Sequence, residues 1–446
     1  MGGASRGMSA TTSLFDELRA AVGPDCFLAG EALEAYRIGG TRPQAALLPV
    51  DEETVSRILA LAWEADLGVV PWGGGCHQSI GYSPSRYDLA LDVTRMDRVL
   101  AHEPADMTAT AQAGIRMADL QRRMGEHGQF LPLDVSMPER VTLGGVLASK
   151  LSGPLRCRYG TARDLILGMR VAHADGTITK GGAKVVKNAT GYDVTKLYLG
   201  SHGTLGVILE ATFRLYPAPD VEQAWWLPVH DLTTAQALAN RILSSHLVPN
   251  RVELLEEVAG RTCGVSGSGL LVSISGLSET VQAEGSDLER MAGELGAPMV
   301  EVRDAGAAWR RPSDFPWRNP AWDGRGVQAL WRGGVPPVEC AKACQACHEA
   351  TPRGVETAVA ASISHGALRG AFRADTPEAL VQRLGAARDA LSNLGGYLVI
   401  MALPEAVRDG IDPWGGTLEG LGVMARLKAA FDAKGILNPG RFVGRL

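Results

Sequence analysis

Three glycine-rich turns, set far apart in the chain, constrain it more than any other feature. The first, "PWGGGCHQSIGY" at 71–82, follows the apolar pair Val69-Val70 and places Gly73, Gly74 and Gly75 directly after a strand-like run. The second, "LDVSMPERVTLGGVLASKLSGPLRCRYG" at 133–160, sets Gly144-Gly145 at a helix-like start. Thr142 is suited to cap that helix, and Ala148 and Ser149 are small enough for a ligand to come close. In the third, "GSHGTLGVILE" at 200–210, Gly203 and Gly206 bracket Thr204-Leu205 just before the best strand pattern in the sequence. Glycine reaches positive φ without strain and, lacking Cβ, lets backbone N–H groups converge on one anion. One such turn is equally a plain tight bend. Three of them, each at a strand end or a helix start, point to one extended ligand held mainly by backbone. The familiar phosphate motifs are missing. A G-x-G-x-x-G reading from Gly73 meets Gln78 where its third glycine belongs, and no Walker A sequence occurs.

The chain has 446 residues, enough for two or three domains and a sizeable core. Apolar residues make up 46% and charged residues 21%, as in ordinary globular proteins. A net charge of -5, spread over many sites, gives no basic footprint for nucleic acid. Seven cysteines, an odd number at low density, favour reduced thiols and a cytoplasmic setting over a disulfide framework. No apolar run approaches the ~20 residues needed to span a bilayer. The opening "MGGASRGMSATTS" lacks the apolar stretch of a secretory signal, and Arg6 stands where a myristoylation signal wants Ser or Thr. A disordered leader is expected there.

Element signals divide the chain. Residues 51–67 read as a helix capped by Asp51, with Val55, Ile58, Leu59 and Ala62 on one face. Strands are predicted at "GVVP", at 88–93 and at 107–115, and a helix over 116–128 closed by Gly128. Asp175-Gly176 joins two strands of a hairpin in "LILGMRVAHADGTITK". In 206–217, Val207, Leu209, Ala211, Phe213 and Leu215 face one way and Glu210, Thr212 and Arg214 the other. Pro217 and Pro219 then mark a domain boundary. The next stretch, about 190 residues of mixed α and β with weaker periodicity, includes a Trp/Pro/Arg-rich segment at 309–326 read as loop. A helix is predicted at 418–435 before the closing "ILNPGRFVGRL".

Together, "PWGGG…SIG", "PERVTLGGVLAS…SGP…RYG", "DLILGMRVAHADG" and "KNATGYDVTKLYLGSHGTLGVILEATFRLYP" resemble the FAD-binding domain of the vanillyl-alcohol oxidase (PCMH-type) flavoprotein superfamily. Within it the chain is most similar to the family of FAD-binding E subunits of bacterial glycolate oxidase complexes. "LVIMALPEAVRDGIDPWGG" and "RLKAAFDAKGILNPGRF" carry that finer likeness. The match is close over 40–219, good over 390–446, and thin between them apart from "LWRGGVPP" and "ISHGALRG". The resemblance implies an α+β fold, with a PCMH-type FAD-binding domain of two α+β subdomains and an α+β cap. Its implied divisions are a leader and helix at 1–38, the FAD domain at 39–219, the cap at 220–410, and a terminal segment at 411–446 returning to the FAD domain.

The same resemblance implies where FAD contacts lie. The first turn would offer Trp72, Gly73, Gly74, Gly75, Cys76, His77 and Ser79. The second would offer Pro138, Thr142, Gly144, Gly145, Ala148, Ser149, Tyr159 and Gly160. Gly203, Gly206, Val207 and Ile208 follow in the third, and Asn438 of "NPG" approaches the flavin. Some superfamily members attach FAD through a histidine in the first turn. Here that position falls on Cys76, with His77 displaced by one, so a non-covalent cofactor is expected and both residues read as loop components.

Other residues were candidates on different grounds. Cys340, Cys344 and Cys347 have a cluster-like C-x3-C-x2-C spacing, with His348 beside them, but the i, i+4, i+7 pattern also puts them on one buried helix face. The buried-face reading is preferred, and no metal is expected. The metal-binding Gly-His-x-Gly-Asp-Gly-Asn-x-His motif of catalytic relatives is absent around Gly366. Arg369 could hold a substrate carboxylate or be a solvated strand-end residue. His202 stands where relatives carry Glu.

The resemblance implies an FAD-dependent oxidoreductase that acts on CH–OH groups. It would be the flavoprotein subunit of a glycolate or other 2-hydroxy-acid oxidising complex, beside a sister FAD-containing catalytic subunit and an iron–sulfur subunit. Its setting would be cytoplasmic, peripheral to the inner membrane through those partners, with no nucleic acid bound and no transmembrane segment. A non-catalytic FAD-holding scaffold subunit and a free-standing flavin alcohol oxidase remain open alternatives. The sequence gives no catalytic base.

Overall fold

The computed structural model describes residues 5–182, 194–318, 326–349, 354–408, 410–416 and 418–446. The helix read from "DEETVSRILALAWE" forms as Glu52–Glu64. The Asp51 carboxylate accepts the Thr54 amide at 2.8 Å, and Val55, Ile58, Leu59 and Ala62 are its buried face. It leads into a four-stranded sheet ordered Phe27–Leu28, Ala45–Leu47, Leu89–Asp92, Val69–Trp72. Leu89–Asp92 is parallel to both neighbours and buried at all four residues, so "DLALDV" is a central strand covered on both faces.

The end of the chain returns to this sheet. The Val69 amide donates to the Ile436 carbonyl at 2.7 Å, and the Asn438 amide donates to the Val69 carbonyl at 2.8 Å. Residues 436–438 thereby lie parallel beside the strand that carries the first glycine turn.

A five-stranded antiparallel sheet follows, ordered Val99–Glu103, Thr108–Gln112, Val207–Arg214, Ile166–Ala172, Ile178–Gly182. The hairpin at Asp175-Gly176 pairs Ala172 with Ile178, and Gly176 takes a φ of 86°. Along Val207–Arg214 the predicted inward residues are buried. Ile208 is buried too, because a bulge between Ile208 and Glu210 interrupts the alternation. Leu47, Leu59, Ala111, Leu147, Phe213 and Ile436 share one hydrophobic core, so both sheets and the returning terminus form a single packed unit.

From Val221 onward an eight-stranded antiparallel sheet forms the cap. Its order is Val300–Val302, Val221–Val229, Ser268–Gly276, Arg251–Leu255, Val355–Ser362, Ala367–Ala374, Val327–Gly334, Tyr397–Ala402. Helices Leu232–Leu243, Ser278–Glu294, Cys340–Glu349 and Pro377–Asn393 contribute to the core on one face. Helices Glu257–Cys263 and Ala305–Asp314 contribute to a smaller core with Trp226 and Phe315.

Several sequence expectations give way here. Helix Ser5–Val22 takes in residues 5–13, where a disordered leader was expected. The segment read as loop from Trp309 begins inside helix Ala305–Asp314, capped by Asp304 accepting the Ala307 amide at 2.9 Å. Its Trp/Pro/Arg composition hides the helix because Trp309, Pro312 and Asp314 are its buried residues. Residues 319–325 of that segment, and most of "KNATGYDV", lie outside the described residues. The last long helix is Leu421–Phe431, shorter than the expected 418–435.

Candidate functional site

The first glycine turn ends strand Val69–Trp72, and the start of helix Leu143–Ser149 lies against it. Thr142 caps that helix, its hydroxyl accepting the Gly145 amide at 3.2 Å. The two loops pack back to back. A Cβ on Gly73 would strike the Thr142 hydroxyl, and one on Gly74 would overlap the Arg140 carbonyl. The third turn reaches the same place through Gly203, whose φ of 71° suits glycine and which lies against Pro71 and the Asn438 amide group.

These loops line a cleft of about 860 Å³, the solvent space at its open mouth included. Of the residues expected to meet FAD, Trp72, Gly73, Gly74, Gly75, Cys76, His77, Thr142, Gly144, Gly145, Ala148, Ser149, Gly203, Gly206, Val207, Ile208 and Asn438 line it. Ser79, Pro138, Tyr159 and Gly160 do not. The Ser79 hydroxyl donates to the Met401 carbonyl of the cap at 2.8 Å, and the Pro138 carbonyl accepts the Ala118 amide at 2.9 Å. Tyr159 stacks edge-on against Phe130 and Tyr216, and Gly160 closes a short helix at φ 79°. Sequence reading missed Gln78, Trp414 and Arg441, which also line the cavity, as does His202, noted from the sequence for standing where relatives carry Glu.

Arg441 is a fastener. Its guanidinium donates to the Gln78 side chain and carbonyl, both at 2.6 Å, and to Asn438 Oδ1 at 3.1 Å. Burial pulls its pKa down to about 10. The only signal for it in the sequence was its place directly after Pro439-Gly440. The Asn438 side-chain amide donates to the His202 carbonyl, so the terminus holds the first and third turns together.

The lining fits FAD. The amides of Gly73, Gly74 and Gly75 donate no hydrogen bond within the described residues, which leaves three backbone donors on the wall for pyrophosphate oxygens. Val141, Val207, Ile208 and Trp414 supply apolar surface for rings. The Cys76 thiol donates to the Gly74 carbonyl at 3.4 Å, and burial raises its pKa, which disfavours the thiolate.

A second cavity, about 760 Å³ with its open solvent space included, lies between this unit and the cap, and His77 lines both. The His77 ring lies 5.2 Å from Trp317, and its Nε2 is buried without a hydrogen-bond partner. Arg369 lines the second cavity but is engaged with the fully buried Glu253, and its Nη1 donates to the Pro312 carbonyl at 2.7 Å. The fold thus spends the Arg369 charge on Glu253. Arg332 also lines this cavity, on strand Val327–Gly334.

Burial and the Arg332 charge hold the His77 imidazole down to about 4. Between there and the ordinary 6.5 the unfolded chain binds a proton that the folded chain refuses. The stability present above pH 6.5 is therefore lost as pH falls toward 4. Chemical denaturation at pH 7, 6 and 5 should show the wild type losing about 2 kcal/mol more than His77→Gln between pH 7 and pH 5, most of it below pH 6. Parallel pH profiles would refute the neutral buried imidazole.

Cys340, Cys344 and Cys347 all point into the cap core from one helix face, and burial raises each thiol. His348 instead reaches Glu256 at 3.2 Å. Among the described residues no group of three His, Cys, Asp or Glu is arranged to hold a metal, and no helix is long and apolar enough to cross a membrane.

Comparison with known proteins agrees with the geometry. Residues 43–182 match the FAD binding domain family, and residues 416–442 match the C-terminal domain of FAD linked oxidases. The chain is 31% identical over 215 residues to glycolate oxidase subunit GlcD of Bacillus subtilis, covering 48% of this chain and 46% of that one. It is 34% identical over 224 residues to a mitochondrial D-lactate dehydrogenase [cytochrome] of Arabidopsis thaliana, covering 50% and 39%. The matched stretch thus spans less than half the length of these relatives. The fold is that of p-cresol methylhydroxylase, with a TM-score of 0.77 over 97% of this chain and 96% of that one at 16% identity. Residues 43–182 thus match an FAD binding domain, set in an α+β fold like that of p-cresol methylhydroxylase, and residues 416–442 match the C-terminal domain of FAD linked oxidases.

Proposed function

We propose that this chain is an FAD-dependent oxidoreductase that oxidises small 2-hydroxy acids. We place it as the flavoprotein subunit of a glycolate-oxidising complex whose iron–sulfur partner takes the electrons onward. The observation that carries this reading is the second cavity, which shares His77 with the FAD cavity and is lined by Arg156, Arg332 and Arg369. Relatives named for glycolate and D-lactate support the substrate class. When bound, FAD supplies the two-electron acceptor for a hydrogen leaving C2 of the substrate as hydride. The chain's own residues hold and enclose. Backbone amides of the first turn hold pyrophosphate, Trp414 and the 202–208 turn shield the cavity, and the cap strands cover the substrate side.

The test is anaerobic mixing of the purified holoprotein with glycolate or D-lactate while the visible flavin band is followed. Prompt bleaching by the chain alone or with its partners restored is the expected result. An unchanged flavin band under both conditions would overturn the proposal.

A further inference from the structure

Helix Leu421–Phe431 is inside out. Of its eleven residues only Lys428 is buried, while Val423 is 53% exposed and Leu421, Met424, Leu427, Ala429 and Ala430 all keep contact with solvent. A surface helix ordinarily turns its apolar stripe to the core. Here Val423, Leu427 and Ala430 stand at i, i+4 and i+7 on an outward face. Beside it Met424 and Leu427 form one wall of a groove of about 550 Å³, its open solvent space included, with Leu197, Leu205, Phe442 and Leu446 on the other walls. Leu197 is itself 38% exposed. Exposed cations surround this face in a chain of net charge -5: Arg426 on the helix, Lys150 against Gly200 of the groove, and Arg445 next to Leu446. Glu419, ahead of the helix, is the acid opposed to them. An apolar face rimmed mainly by charge of one sign marks an interaction site for a partner of the other sign.

What lies behind the groove decides the partner. Phe442 lines the groove, and its ring centre is 5.0 Å from that of Trp414 and 5.7 Å from that of His202. Trp414 and His202 line the FAD cleft on the other side. One layer of side chains therefore separates cleft and groove. His202 stands near enough to His77 to feel its charge, so this thin wall is at the end of the cleft that adjoins the second cavity, where the redox ring must lie to meet a substrate. We infer that this face docks an acidic protein carrying a one-electron centre, to which the reduced flavin passes its electrons across the Trp414–Phe442 wall. The inference rests on the proposed function for its electron source, and deepens it by assigning the acceptor a place. Two electrons leave one at a time and reduce the partner's centre twice, and the flavin's two hydrogens leave as protons to water. A second copy of this chain would set basic rim against basic rim. A lipid surface gives no reason for the wall behind the groove to be thin.

The test is stopped-flow reduction of the holoprotein by a plant-type [2Fe–2S] ferredoxin, an acidic one-electron carrier at about −400 mV, which runs the same exchange backwards. Two reduced ferredoxins each lose one electron, and the flavin takes both with protons from water, so its visible band bleaches. The wild-type second-order rate should fall about tenfold between roughly 50 and 500 mM salt. Val423→Glu/Arg426→Glu should slow it by about 100-fold. Dithionite is small enough to enter the cleft mouth, so its rate should stay within about twofold, with flavin content equal to wild type. A ferredoxin rate in the double variant within about threefold of wild type overturns the docking face. So does a double variant that loses binding to phosphatidylserine vesicles, or loses a dimer on gel filtration, while its ferredoxin rate holds. If glycolate or D-lactate bleaches the flavin but ferredoxin ignores this face, the face falls and the proposed function stands. Ferredoxin exchange that depends on the face, with no bleaching by any hydroxy acid, does the reverse.

Discussion

Gly74→Ala should yield a folded protein that has lost most of its FAD. The added methyl would overlap the Arg140 carbonyl and crowd Val141 Cα, both of them backbone, so the 71–78 loop or the 140–142 loop must move. Both loops end on the cavity wall. Overpacking of this kind costs about 1–3 kcal/mol, and here it falls on cofactor geometry, so affinity should drop by roughly 100-fold. Gly125→Ala is the control, because it lies off the cavity and its Cβ would meet nothing within 4 Å. The ratio of visible flavin absorbance to protein absorbance reads the result. Wild-type flavin content in Gly74→Ala would show that the loops are not rigidly apposed.

Asp432→Ala should be the most destabilising substitution near the terminus, by about 3–5 kcal/mol. The Asp432 carboxylate accepts from Lys428 Nζ at 2.6 Å and from the Ile436 and Leu437 amides at 3.0 and 2.8 Å. Lys428 Nζ also donates to the Thr204 carbonyl at 2.9 Å and the Leu437 carbonyl at 2.7 Å. One buried pair thus ties helix Leu421–Phe431, the third glycine turn and the returning strand together. Removing the acid strands a buried ammonium. Lys428→Met/Asp432→Asn removes both charges and should recover part of the loss. Urea denaturation measures both. A change under 1 kcal/mol in Asp432→Ala would mean the pair is dispensable.

Local chemistry made much of the FAD unit legible. Asp51, Thr142 and Asp175-Gly176 each announce a cap or a turn through short-range hydrogen bonding, and each forms as read. The glycine turns were legible as a group because each follows a strand or opens a helix. Arg441 was not. Its role depends on partners hundreds of positions away, which no periodicity records. Arg369 misled for the same reason, since Glu253 lies 116 residues from it. The cap was weakly legible because its helices alternate with antiparallel strands covered on both faces, so its strands give apolar runs rather than clean alternation.

The strand that closes the cradle comes from residues 436–438, about 360 positions after Gly74. At ribosomal speeds of roughly 5–20 residues per second, the first turn emerges on the order of 20–70 seconds before the segment that fastens it. Flavin capture is therefore a late event in biogenesis. A nascent chain stalled anywhere in the cap would display an unfinished nucleotide cleft, open to chaperones and proteases rather than to its prosthetic group.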